Sequence, residues 1–329
     1  MKPKLKIATN LATFANQIDR FCTAGYKSDK SVEEMFNDAS KIKDLSGIEL
    51  VGNYHINENN ISLIKKLKSD LNFNIVSILP EIFIDKKWKN GSFSSKDQKI
   101  RKMAIEEVKK CIDFANELDC EIVNIWPGQD GFDYSFQTDY LKSWAHIVDG
   151  IQECARYRND IKLSIEYKTK EPRTHCHIGT IGKTLKLIEK IDEKNVGVTV
   201  DVGHAFYAYE NVAETIALCS FYGNKLFHIH LNDNYGFWDD DLMIGSVHTQ
   251  EYLEIIYWLK KVDYRGWYSF DTFPSREDGI GATIENIEWF KSMGKAVDSI
   301  NENEFDRVIN SDDAIESLKL LRQMIFPEK

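Results

Sequence analysis

The sequence has fewer basic than acidic residues and contains no long hydrophobic run. Its 42 Lys and Arg residues stand against 52 Asp and Glu residues, which gives a formal net charge of −10. Proteins that bind nucleic acid present a concentrated basic surface to the phosphates, so this balance argues against a nucleic-acid partner. A run of about eighteen apolar residues is absent, as is the basic, apolar, small-residue order of a secretory leader. We therefore expect neither a membrane partner nor secretion.

Cysteine is also sparse and has no regular spacing. The chain has 6 cysteines, and none of them forms a CxxC pair. A disulfide framework or a CxxC-type zinc site would show such a pattern, so we expect free thiols and a cytoplasmic location.

Eight short apolar runs are present and have the features of buried strands. Most are bounded by Gly, Pro, Asn or charged residues, and segments with helical spacing lie at 32–39, 61–67, 103–115, 185–191 and 252–259. This alternation predicts a (β/α)₈ TIM barrel, with a three-layer doubly wound sheet as the alternative. The eight runs are residues 5–10, 47–52, 73–80, 121–128, 161–166, 196–201, 225–230 and 266–271.

We expect one domain over residues 1–329, with the barrel at about 4–298 and a C-terminal helical extension at about 299–329. Apolar spacing predicts helices at Ile284–Met293 and Ala314–Ile325, packed outside the barrel or against another subunit.

Acidic or imidazole side chains end the last four strand runs. They are Glu166, Asp201, His230 and Asp271. A single polar residue after a strand is usually a turn former, but four in succession would meet at one rim of a parallel barrel. Carboxylates together with imidazole suit a divalent cation such as Mn²⁺, Co²⁺ or Zn²⁺. The pattern predicts a four-ligand metal site.

A second set of charged residues follows these strand ends. Strand alternation places Lys168 on the same face as Glu166, and the turn at Gly203 brings His204 towards Asp201. The run Asp239-Asp240-Asp241 groups like charges, which favours either open solvent or a bound cation. We expect a second cation at His204, Asp239 and Asp241, with Asp240 as an alternative to Asp239 and His228 as an alternative to His230.

Four segments together resemble the metal-binding segments of the xylose-isomerase-like TIM-barrel superfamily, and among its members most resemble L-rhamnose isomerases. The segments are Glu-Tyr-Lys-Thr-Lys-Glu-Pro-Arg at 166–173, Asp-Val-Gly-His at 201–204, His-Leu-Asn-Asp-Asn at 230–234 and Trp-Asp-Asp-Asp at 238–241. The His-Asp-x-Asp segment of xylose isomerases proper has no counterpart near the third strand, where Pro80-Glu81 stands.

The resemblance implies a structural cation and a catalytic cation. The structural cation would be held by Glu166, Asp201, His230 and Asp271, and the catalytic one by His204, Asp239 and Asp241. It also implies that Trp126 walls the sugar site, that Lys168 acts beside the sugar carbonyl, and that the chain forms a homodimer or homotetramer.

These features lead to the expectation of an aldose–ketose isomerase that acts on a small sugar by a metal-assisted hydride shift. Glu166, Lys168, His204, Asp239 and Asp241 are the expected catalytic residues, and Trp126, Lys168 and His55 the expected sugar contacts. Mn²⁺ is the expected cofactor, with Co²⁺, Mg²⁺ or Zn²⁺ as alternatives, and no organic cofactor is expected.

Three other functions remain open at this point. The first is a ketose 3-epimerase of the same superfamily, which uses one cation and a pair of glutamates as acid and base. Against it, the last strand here ends in Asp271, a shorter arm, and the run 239–241 would be surplus. The others are a metal-dependent abasic-site endonuclease, which the net charge opposes, and a non-catalytic sugar-binding barrel.

Overall fold

The computed structural model describes residues 5–327. Eight parallel strands close into a barrel in the order β1-β8-β7-β6-β5-β4-β3-β2, so the predicted (β/α)₈ TIM barrel is confirmed. Every strand lies inside its predicted run except β7, which extends one residue further to Leu231. The strands are β1 Ile7–Asn10, β2 Gly47–Val51, β3 Asn74–Leu79, β4 Ile122–Ile125, β5 Lys162–Glu166, β6 Val196–Asp201, β7 Leu226–Leu231 and β8 Tyr268–Phe270.

Helices cover the outside of the barrel, and polar side chains cap most of them at the N-terminus. Ser31 and Glu34, for example, form a reciprocal capping box at the start of α1. The helices are α1 Val32–Ala39, α2 Ile61–Asp70, α3 Gln98–Glu117, α4 Tyr140–Tyr157, α5 Ile181–Ile191, α6 Val202–Tyr207, α7 Val212–Phe221, α8 Thr249–Lys261, α9 Gly279–Asp298, α10 Glu302–Ile309 and α11 Ala314–Ile325. Among them, no helix of the described residues is long and apolar enough to cross a membrane.

The C-terminal part contains one more helix than the spacing predicted. Helix α9 is longer than the predicted segment, α11 matches its prediction, and α10 lies between them. Helix α10 buries only Phe305 and Val308, a stripe too short to stand out in the sequence. The predicted domain bounds also reach into residues 1–4 and 328–329, which lie outside the described part of the chain.

The inside of the barrel is unusually polar for a parallel sheet. Helices cover the sheet outside, and strands β2 and β6 are buried along their whole length. Inside, the Thr199 hydroxyl donates to Asn124 at 2.7 Å and contacts the Ser164 hydroxyl at 2.6 Å. These bonds satisfy buried polar groups below the rim where the predicted ligands lie.

A small antiparallel sheet lies beside the barrel rim. Its strands are Gly131–Phe132, Lys170–Glu171 and Thr174–Cys176, from the connections that follow β4 and β5. The sheet places Glu171 next to Lys168, at the edge of the cavity described below.

Candidate metal centre and active site

A cavity of about 430 Å³ opens at the carboxyl ends of the barrel strands. This is the end at which TIM-barrel enzymes hold their active sites. A larger groove of about 900 Å³ lies at the opposite end, where Lys6 and Trp267 are among its lining residues. The groups of metal-ligand type in the described residues lie at the first cavity, so we assign the site there.

The four predicted ligands meet around one imidazole nitrogen. Nδ1 of His230 lies 3.5 Å from Glu166 Oε1, 3.7 Å from Asp201 Oδ2 and 3.5 Å from Asp271 Oδ2. The same nitrogen is buried without a hydrogen-bond partner. Ligands bound at about 2.1 Å around a tetrahedral ion lie roughly 3 to 3.5 Å from one another. The four side chains therefore fit a single divalent cation.

Asparagine side chains hold the three carboxylates of this group in place. Each donates its amide N–H to a carboxylate, which fixes the orientation of the ligand before a cation arrives. The bonds run from Asn124 to Glu166 at 2.6 Å, from Asn10 to Asp271 at 3.0 Å and from Asn232 to Asp201 at 3.0 Å.

The other ring nitrogen of His230 is hydrogen-bonded to Glu49, which was not predicted from the sequence. Glu49 of β2 accepts from His228 Nε2 at 2.6 Å and from His230 Nε2 at 3.0 Å. Burial favours a protonated carboxyl, but the two histidines hold the pKa of Glu49 well below its usual range. Of the two histidines, only His230 belongs to the four-ligand group, so His230 and not His228 is the candidate ligand.

Burial of several carboxylates around one point changes their proton affinity. Burial, together with the charge of neighbouring Glu166, raises the pKa of Asp201 to about 6. Burial, together with the negative charges of Glu166 and Asp201, raises the pKa of Asp271 to about 7. A divalent cation would relieve this repulsion, which is a second reason to assign a cation here.

A second group of metal-ligand type shares Asp201 with the first and adds His204 and Asp239. Nε2 of His204 lies 3.1 Å from Asp239 Oδ2, while Nδ1 of His204 and Oδ1 of Asp239 are buried without a hydrogen-bond partner. Burial acts against a charged imidazole, yet Asp201 and Asp239 raise the pKa of His204 to about 9.

An ammonium group already lies within this second group. Lys168 Nζ is 2.8 Å from Asp239 Oδ2 and also pairs with Glu171. Although burial opposes its charge, Asp239 and Glu171 hold the pKa of Lys168 above its usual range. Lys168 therefore supplies a positive charge at the place where a second cation was predicted.

In the run of three aspartates, Asp239 and Asp241 line the cavity, whereas Asp240 bonds within its own loop. Asp240 accepts a backbone N–H from Tyr235 at 3.0 Å, so Asp239 and not Asp240 faces His204. Asp241 has a left-handed backbone with φ of 48° and lies 3.3 Å from Asn232 Nδ2. It lines the cavity but falls outside the second ligand group, contrary to the predicted pairing of Asp239 and Asp241.

Of the predicted sugar contacts, Trp126 and Lys168 line the cavity. The Lys168 ammonium lies 5.2 Å from the centre of the Trp126 ring, and Phe83 packs edge-on against the same ring. His55 does not line the cavity: it is fully buried, and its Nδ1 accepts the Val51 N–H at 3.0 Å. The prediction for His55 is corrected accordingly, since its ring supports the end of β2.

Glu49 and the asparagines at 10, 124 and 232 were not predicted from the sequence. Glu49 left a signal, because a lone acid within the apolar run 47–52 must find a partner if the strand is buried. Asn124 left the same kind of signal, because it lies inside the apolar run 121–128. Asn10 and Asn232 left none, since Asn at the end of a strand is equally typical of a turn.

Comparisons with known proteins agree with this fold. Xylose isomerase of Thermus thermophilus is 28% identical over 227 residues, which cover 66% of this chain and 58% of that protein. The chain thus spans less than two thirds of the length of that relative. A D-tagatose 3-epimerase-like protein superposes with a TM-score of 0.69 at 21% identity, over 90% of this chain and 99% of that one. A D-psicose 3-epimerase superposes with a TM-score of 0.65 at 18% identity, over 90% of this chain and 97% of that one.

A family model described as a xylose isomerase-like TIM barrel matches residues 36–293, well over half of the chain. The resemblance to the superfamily is therefore confirmed, and the chain belongs to the xylose isomerase-like TIM-barrel family.

Proposed function

We propose that the protein is a sugar epimerase that binds one divalent cation and inverts the carbon next to the carbonyl of a ketose. The observation that carries this proposal is the contrast between the two ligand groups. The first is complete and surrounds an unpartnered His230 nitrogen, whereas the Lys168 ammonium already pairs with Asp239 in the second. One cation position is what a proton-transfer epimerase requires.

The cation would be held by Glu166, Asp201, His230 and Asp271, and when bound it would polarise the sugar carbonyl and acidify the neighbouring C–H. The donor set of three carboxylates and one imidazole suits Mn²⁺, and Co²⁺, Mg²⁺ and Zn²⁺ are alternatives.

Glu166 and Asp271 are the proposed acid and base. They extend from β5 and β8, which β6 and β7 separate in the barrel, so the two carboxylates enter the cavity from different directions. One removes the proton from C3 and the other returns a proton to the opposite face, which inverts the carbon. Asp271 has a shorter arm than a glutamate, and Asn10 fixes its orientation.

The sugar would lie against Trp126, with the Lys168 ammonium donating to a sugar oxygen. Lys168 is the only lysine or arginine among the described residues that line the cavity, and it is already shared by Asp239 and Glu171. A phosphorylated sugar would bring further negative charge to a wall rich in carboxylates. The proposed substrate is therefore an uncharged free sugar.

Aldose–ketose isomerisation by hydride shift is the second candidate. It is favoured by the group of Asp201, His204 and Asp239 and by the similarity to a xylose isomerase. In this mechanism a second cation would take the place of the ammonium at Asp239. The two solved structures named above are described as a D-tagatose 3-epimerase-like protein and a D-psicose 3-epimerase, which supports the first candidate.

The experiment is a panel of ketopentoses and ketohexoses incubated with the Mn²⁺-loaded protein in D₂O, with and without a chelator. We expect a C3-epimeric ketose that carries deuterium at C3, and no product after chelation. An aldose product free of solvent deuterium would replace epimerisation with the hydride-shift candidate. Asp271→Asn should abolish turnover, whereas Asp240→Asn should retain it, because Asp240 bonds within its own loop.

A further inference from the structure

Glu49 lines the cavity, and both of its carboxylate oxygens accept hydrogen bonds from histidines. Its Oε1 accepts from His228 at 2.6 Å and its Oε2 accepts from His230 at 3.0 Å, across the barrel from β2 to β7. All three residues are buried. Although they form a close group of ligand type, a separation of 2.6 Å is that of a hydrogen bond and is shorter than ligands around an ion allow. This trio therefore does not enclose an ion.

The bond to Glu49 determines which nitrogen of His230 faces the cavity. An imidazole that gives its Nε2 proton to a carboxylate presents Nδ1 as a lone pair. Nδ1 of His230 has no hydrogen-bond partner and faces Glu166, Asp201 and Asp271.

We propose that Glu49 is a positioning residue that fixes the tautomer and ring orientation of His230 for cation binding. The inference rests on the proposed function, since it concerns the cation that the first ligand group would hold. A carboxylate in this position also raises the basicity of the imidazole ligand.

His228 has a separate part in this arrangement. Its bond occupies the second oxygen of Glu49, so the carboxylate is kept from turning towards the cation as a fifth ligand. The pair of histidines thus holds Glu49 in one orientation, and Glu49 in turn holds His230.

The test compares Glu49→Gln with Glu210→Gln by calorimetric titration of the chelated proteins with Mn²⁺ and with Zn²⁺. Glu210 is a matched control, because it is a partly buried carboxylate that accepts from Tyr167 at 2.7 Å, away from the cavity. Gln has one accepting oxygen where Glu49 has two, and its NH₂ group can only donate, so one of the two histidines loses its acceptor. We therefore expect Glu49→Gln to bind about 10- to 100-fold more weakly than wild type. The control should bind like wild type.

A second measurement needs no variant. Long-range ¹H–¹⁵N NMR of the Zn²⁺-loaded wild type should show His230 protonated at Nε2 and not at Nδ1. A proton on Nδ1, or wild-type affinity in a folded Glu49→Gln protein, overturns the role of Glu49. If wild type itself binds no divalent cation, the proposed function fails as well, so the two failures are distinguishable.

Discussion

In the proposed one-cation site, Lys168 is the residue that would exclude a second cation. Its ammonium lies 2.8 Å from Asp239, and both side chains are nearly buried. A divalent ion at the same place would meet this positive charge at short range with little water to screen it. The one-cation account therefore depends on the position of a single side chain.

Replacing Lys168 by Met should open the second position. Asp201, His204 and Asp239 would then be left without the ammonium, and buried carboxylates without a partner bind cations readily. We expect titration with Mn²⁺ to give two equivalents for Lys168→Met and one for wild type. Lys170→Met is the control, since Lys170 lies over the Tyr207 ring. A single equivalent in both variants would contradict the competition between lysine and cation.

The raised pKa values of Asp201 and Asp271, about 6 and about 7, predict how cation binding depends on pH. Below these values the metal-free carboxyls hold protons that a cation must displace, so affinity falls as the pH decreases from 8 to 5.5. We expect a loss of about tenfold or more, since each pH unit below a group's pKa weakens binding up to tenfold. Calorimetry in two buffers should detect proton release near pH 6. Asp271→Asn should bind more weakly at every pH and with a shallower dependence.

At the residue level, the sequence predicted the candidate ligands but not the residues that hold them in place. The grouping of Glu166, Asp201, His230 and Asp271 could be predicted because strand ends of a parallel barrel converge on one rim. Glu49 was missed as a partner of His230 because a pairing from β2 to β7 depends on barrel closure, which local spacing does not encode.

The start of helix α6 forms part of the candidate metal site. Asp201 ends β6 and also caps α6, where it accepts the His204 N–H at 2.8 Å. Gly203 donates its N–H to Asn232 at 2.7 Å, and Asn232 in turn holds Asp201. The first turn of this helix thus positions two candidate ligands.

Gly203→Ala should disturb this turn. An added Cβ would lie 2.3 Å from Asn232 Oδ1, so Asn232 would have to move away from Asp201. We expect a destabilisation of about 1–3 kcal/mol by thermal or urea unfolding, together with weaker Mn²⁺ binding. Gly182→Ala in α5 is the control, because its Cβ would meet nothing within 4 Å, and it should be neutral or stabilising. Equal effects of the two changes would show that close packing at Gly203 is unimportant.

At the level of elements, the strands were predictable and several helices were not. Strand runs are apolar throughout because helices cover the barrel, which makes them stand out. Helix α6 has only six residues, and α7 is apolar at most positions, so neither shows a clear apolar stripe.

For the whole molecule, the barrel closes around a concentration of buried and partly buried carboxyl groups. Glu166, Asp201, Asp239, Asp241 and Asp271 all contribute to it, with Lys168, His204 and His230 as the nearby basic groups. This concentration should make the folded state depend on a bound cation. Assembly into a homodimer or homotetramer stays a prediction.

Addition of Mn²⁺ to the chelated protein should raise its melting temperature. A ligand present at about 100 times its Kd stabilises the folded state by about 2.7 kcal/mol, which corresponds to several degrees for a protein of this size. Differential scanning calorimetry at several Mn²⁺ concentrations checks the effect, and Asp201→Asn should greatly reduce it. An unchanged melting temperature across the Mn²⁺ series in wild type would contradict cation binding by the folded protein.

The most direct measurement is an anomalous difference map from a crystal grown with Mn²⁺. The one-cation account predicts a single strong peak in the cavity, bounded by His230 Nδ1 and by the carboxylates of Glu166, Asp201 and Asp271. Lys168 should remain paired with Asp239 in the same crystal. A second peak beside His204 and Asp239, with Lys168 displaced, would contradict the account and favour hydride transfer between two cations.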